Sequence, residues 1–155
     1  MTFKTLTALL ALTCATALHA QGVDIKDAWV RTTVKGQKGT GAFMTLTAKE
    51  GSRLVSVSSP VAGVAELHEM KMEGDVMKMR AIDGLDLPAG KPVMLKPGGY
   101  HLMLMDLKAA LPKDSQVPVT LVFQDAKGVK SKVELALPVS TTPPGPVAPE
   151  SGHKH

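Results

Sequence analysis

The sequence predicts an all-β fold, a sandwich or a barrel in a single domain. Three observations carry that expectation. Short runs rich in β-branched and apolar residues recur along the chain. Turn signals separate them, and no segment sustains a 3.6-residue apolar period over three turns. Short strands at such spacing pack as two sheets or close on themselves.

The strands are expected, in order, at Val23–Val30, Gly41–Ala48, Leu54–Ser58, Ala62–Met72, Val76–Ile82, Pro92–Lys96, Tyr100–Leu107, Val117–Gln124 and Val129–Val139. Glycine and proline mark the breaks, because they supply the backbone angles that turns need. Lys35-Gly36 and Gly39 part the first two strands, and Pro60 closes the third. Gly74-Asp75 parts the fourth from the fifth. Leu87-Pro88-Ala89-Gly90 precedes the sixth, and Pro97-Gly98-Gly99 separates it from the seventh. Leu111-Pro112 and Lys127-Gly128 bracket the eighth. There is no internal repeat and no sign of a second domain. The folded unit is expected over 21–138. From Pro138 onward the last 18 residues hold five prolines and almost no large apolar side chain, so 139–155 is expected to be a flexible, disordered tail.

Residues 1–20 read as an address. Lys4 precedes the uncharged apolar stretch Leu6–Leu18, and small residues lead to Ala20, the three parts of a secretory signal peptide. The apolar run is short for a hydrocarbon core ~30 Å thick, so an anchor is not expected. Lipidation at Cys14 is disfavoured by Thr13, where a smaller residue is wanted. Cleavage after Ala20 removes the single cysteine, and the remaining chain has no thiol. That excludes internal disulfides, cysteine catalysis and blue-copper electron transfer, which needs a thiolate ligand. No G-x-S-x-G is present, and no enzyme is expected. Aromatic residues are 3% of the chain, net charge is +4, and no two basic residues are adjacent, which argues against nucleic acid.

Methionine is the unusual residue, at nine. Seven lie between residues 70 and 105, beside His68 and His101, the two histidines of the expected domain. Side chains alternate across a strand, so His68, Met70 and Met72 share one face, Met77 and Met79 another, and His101, Met103 and Met105 a third. Gly74-Asp75, with glycine first, suits a two-residue type II′ hairpin. Closing it pairs Glu73 with Val76, Met72 with Met77, Met70 with Met79 and His68 with Ala81. His68 and Met79 then become diagonal neighbours, close enough to hold one ion. Soft thioethers with imidazoles, and no carboxylate, select copper(I). A single methionine on such a face is ordinary core filler. Seven beside two histidines point to a metal site, with Met70, Met72, Met77, Met94 and Met105 left as filler or as support around the ligands.

His68, ten residues, Met79, twenty-one residues, His101, one residue and Met103 resemble the H(M)x10Mx21HxM signature of the PCuAC family of periplasmic copper chaperones. The flanking Leu67-His68-Glu69-Met70, Met72 to Arg80, and Leu95 to Met103 are similar to that family as well. The resemblance implies a cupredoxin-like Greek-key β-sandwich that binds one copper(I) through His68, Met79, His101 and Met103. It implies delivery to the dinuclear copper site of cytochrome c oxidase, to subunit II directly or with a Sco-type partner. Some members carry a tail that takes copper(II), for which His153 and His155 are the candidates here. A periplasmic monomer with its site near the surface is expected. The alternative is a periplasmic copper buffer without a dedicated recipient.

Overall fold

Alternating apolar runs become strands throughout the computed structural model, which describes residues 22–144. The strands are β1 Val23–Arg31, β2 Gly39–Ala48, β3 Ser52–Ser58, β4 Ala62–Glu73, β5 Val76–Ala81, β6 Leu85–Leu87, β7 Pro92–Leu95, β8 His101–Leu107, β9 Gln116–Asp125 and β10 Lys130–Ser140. No helix occurs among the described residues. Nine strands fall where the sequence places them. The tenth, β6, escaped because Leu85-Asp86-Leu87 alternates over only three residues. Its two leucines are buried and its aspartate is exposed.

The strands form two sheets. The first runs β5-β4-β8-β2-β1, with β7 paired to the far half of β2. The second runs β10-β9-β3-β6. A short parallel pairing of β1 with β10, Val30 to Val139 and Arg31 to Ser140, links them. Leu46, Leu102 and Leu104 from the first sheet and Val119, Leu121 and Phe123 from the second belong to one buried core. Burying each such side chain contributes roughly 1.5–3 kcal/mol.

The end of the domain is corrected here. β10 continues through Pro138 to Ser140, and Val139 is fully buried. Proline content across 138–155 concealed this. The alternation Leu137 in, Pro138 out, Val139 in is intact, and the outward position tolerates proline. Residues 1–20 with Cys14, and residues 145–155 of the tail with His153 and His155, lie outside the described residues.

The β4–β5 hairpin has the register that its turn dictates. Glu73 faces Val76, Met72 faces Met77, Met70 faces Met79 and His68 faces Ala81. Gly74 has φ +62°, while Asp75 keeps a negative φ, as a type II′ turn requires. Beyond His68 the hairpin projects past the core, and all of β5 is exposed.

The site faces away from the core. Leu67 on β4, Leu102 and Leu104 on β8, and Ala42 and Met44 on β2 point inward. Strict alternation therefore turns His68, His101, Met103, Gly41 and Phe43 to the outer face of the first sheet.

Candidate metal centre

His68 and His101 are direct cross-strand partners on β4 and β8. Their ring centroids are 5.7 Å apart, and both residues are buried. Met79 reaches in from β5, and its Sδ lies 2.9 Å from His101 Nε2. Met103 follows His101 on the same face, between Glu66 of β4 and Gly41 of β2. Met79, His101 and Met103 line one open cavity of about 280 Å³, which Met70 and Arg31 also border. Met79 is 48% exposed, so the site reaches the surface.

Second contacts decide which nitrogen of each histidine is free. His101 Nδ1 donates to the Gly99 carbonyl at 2.9 Å. A neutral ring then carries a lone pair on Nε2. That lone pair faces the Met79 sulfur, which also has only lone pairs to offer. In that neutral tautomer two electron-pair donors meet, which is the arrangement a cation resolves. His68 Nε2 donates to Glu66 Oε2 at 2.7 Å, because a carboxylate only accepts. This leaves His68 Nδ1 as the acceptor, and it is buried with no hydrogen-bond partner. An orphaned buried nitrogen is costly unless something binds it. The residues thus fit a soft cation held by imidazole and thioether. Among the described residues no three His, Cys, Asp or Glu side chains gather as a hard-metal cluster would need.

The wall of the site is aromatic. Phe43 packs on Trp29 with centroids 4.9 Å apart and lies 6.5 Å from the His101 ring. Gly41 makes room for it, since a Cβ there would stand 2.6 Å from the Phe43 ring. The Arg31 guanidinium sits 5.5 Å from the Phe43 centroid and 6.0 Å from that of Trp29. Glu66, Gly99, Phe43, Gly41 and Arg31 were not anticipated. Period-two reading from His68 could have found Glu66, two residues earlier on the same face. The filler expectation is corrected for Met72, Met77 and Met94, which are about half exposed. Core filler must be buried. Met44, 2% exposed, is the methionine that does fill the core.

Solved structures define the class. The chain superimposes on the apo PCuAC domain from PmoF1 with a TM-score of 0.59 and 21% identity, covering 77% of this chain and 95% of that one. The copper-bound PCuAC domain from PmoF2 gives 0.57 and 23%, with 77% and 94% covered. The solution structure of CuI-DR1885 from Deinococcus radiodurans gives 0.59 and 28%, with 82% and 83% covered. The fold is therefore the cupredoxin-like sandwich of PCuAC domains. The chain belongs to the LpqE-like, PCuAC-type family, whose pattern matches residues 23–139. A relative in Leifsonia xyli subsp. xyli (strain CTCB07), named "Putative lipoprotein Lxx21020", is 34% identical over 122 residues, 78% of this chain and 71% of its own length. An uncharacterized protein of Rickettsia prowazekii (strain Madrid E), RP573, is 32% identical over 103 residues, 63% of this chain and 57% of its own length.

Proposed function

We propose that this chain is an exported copper(I) carrier that binds one ion through His68, Met79, His101 and Met103. Its recipient is the dinuclear copper site of cytochrome c oxidase, reached at subunit II directly or through a Sco-type partner. One observation carries the binding reading. His101 Nε2 and Met79 Sδ face each other at 2.9 Å, and the ring of His68, whose buried Nδ1 has no hydrogen-bond partner, has its centroid 5.7 Å from that of His101. The 28% identical neighbour whose title names its copper(I) form supports the metal and its oxidation state. The lipoprotein name of the Leifsonia relative and the leader-like composition of residues 1–20 support export, with the periplasm as the compartment.

The donor set suits delivery as well as binding. All four ligands are neutral, so the complex keeps the positive charge of the ion. Anionic thiolates of a recipient bind copper(I) more strongly and draw it off. The exposed Met79 is the ligand that a partner can displace first, while the buried His68 and His101 still hold the ion. Arg31, a cation at the cavity rim, opposes retention further.

Anaerobic copper(I) titration tests this. The expected stoichiometry at the site is one, with affinity lost or much weakened in Met79→Leu and in His101→Ala. Unchanged affinity in both would remove Met79 and His101 from the ligand set. Delivery is tested by oxidase copper content in a deletion strain at limiting copper. Normal oxidase loading with raised copper sensitivity would favour the buffer reading. Removing residues 145–155 tests whether His153 and His155 take copper(II), which that truncation would abolish.

A further inference from the structure

Met72 and Met77 are methionines that packing does not explain. They are 55% and 47% exposed, on a hairpin that projects beyond the core. They are also direct partners in the ladder, so their Cβ atoms stand roughly 4.5–5.5 Å apart. Two flexible thioethers at that spacing can close on one small ion. One rung inward on the same face, Met70 faces Met79, whose sulfur touches His101. Successive rungs on one face are about 7 Å apart. The hairpin is sharply two-faced. Its reverse side carries the ion pairs Lys78–Glu73 and Arg80–Glu69, whereas its sulfur side carries no charge from residue 68 to the turn or from the turn to residue 81.

We propose that Met72 and Met77 form a second, outer copper(I) site at the hairpin tip, which captures the ion and passes it along the Met70–Met79 rung to the His68–His101 pair. This rests on the copper(I) reading of the inner site. Two exposed thioethers bind more weakly than two thioethers with two sheltered imidazoles, so the ion moves inward. The transfer is ligand exchange: copper remains copper(I), neutral sulfur replaces neutral sulfur, and no proton or electron moves.

The test is the double variant Met72→Leu/Met77→Leu in the full chain. Leucine keeps the volume of these exposed side chains, and the thermal midpoint checks that the fold is intact. The expected result is unchanged affinity and stoichiometry at the inner site, with loading from a weak copper(I) chelate slowed several-fold in anaerobic stopped flow. Silver(I), a redox-inert mimic, should shift the Met72 and Met77 methyl resonances in the His101→Ala background, and the added double substitution should remove that weak binding. An unchanged loading rate, or methyl resonances that do not respond to silver(I), would overturn the proposal. Loss of inner-site affinity in the double variant would also overturn it, by making these two residues inner ligands. A tip that serves only to dock a partner would show no silver(I) response. The inner-site reading fails on a separate measurement, an unchanged affinity in His101→Ala.

Discussion

Glu66 should set how firmly His68 holds copper. Its carboxylate accepts the Nε2 proton at 2.7 Å, which fixes the ring and leaves Nδ1 with the lone pair that a metal would take under the proposed reading. Removing such an outer partner typically costs about 10–100-fold in metal affinity. At about 1.36 kcal/mol per tenfold, that is roughly 1.4–2.7 kcal/mol, in line with the net worth of a charge-assisted hydrogen bond. The His68 side chain is 10% exposed but that of Glu66 is 42% exposed, so water screens the carboxylate and the lower part of the range applies. Glu66→Ala is therefore expected to weaken copper(I) binding by about tenfold. Glu66→Gln keeps an acceptor and loses the charge, so its effect should be smaller. Competition with a chromophoric copper(I) chelator reads both affinities. Nitrogen-15 NMR of the apo protein should show His68 protonated at Nε2, and a mixed tautomer in Glu66→Ala. An alanine variant that binds one copper(I) as tightly as the parent chain would refute this role for Glu66.

The hydrogen bonds of His68 to Glu66 and of His101 to Gly99 also set which ring atoms are free for a metal. In the silver(I)-loaded protein, nitrogen-15 spectra should place the ion on His68 Nδ1 and His101 Nε2, and metallation of His68 at Nε2 would contradict it. Gly41→Ala puts a Cβ 2.6 Å from a Phe43 ring held against Trp29, so overpacking should cost about 1–3 kcal/mol in urea unfolding and weaken copper binding through displaced His101. A chain ending at Pro138 loses the buried Val139, worth roughly 1.5–3 kcal/mol, together with the pairing to β1. A chain ending at Thr142 keeps both, and urea midpoints should separate the two.

Local rules made the β4–β5 hairpin legible to the residue. A two-residue turn leaves one register, and period two then fixes every face. The pairing of His68 with His101 was not legible, because three strands intervene between β4 and β8 and no turn sets their register. Phe43, Gly41 and Arg31 reach the site from β1 and β2, so only the tertiary fold brings them there. The Gly99 carbonyl was hidden for another reason: Pro97-Gly98-Gly99 reads as a turn, and a turn does not announce which carbonyl will hold a side chain. Glu66 obeys the same alternation that picked out Met70, but a single glutamate gives no signal until its partner is seen. At Pro138 composition and alternation disagreed, and alternation was the better guide because burial of Val139 outweighs a proline that faces water.

The parallel contact between β1 and β10 bears on how this chain acquires its fold. Val30 and Val139 stand more than a hundred residues apart in sequence, yet they join the two sheets. The hydrogen-bonded link between the sheets cannot form until nearly the whole described chain is present. A topology so rich in distant pairings folds slowly, on the order of milliseconds to seconds. A nascent chain lacking its last strand is left with β1 unpaired along one edge. For a protein read as crossing a membrane before it works, late pairing of β10 keeps the polypeptide threadable, and this last strand is the latch that joins the two sheets edge to edge.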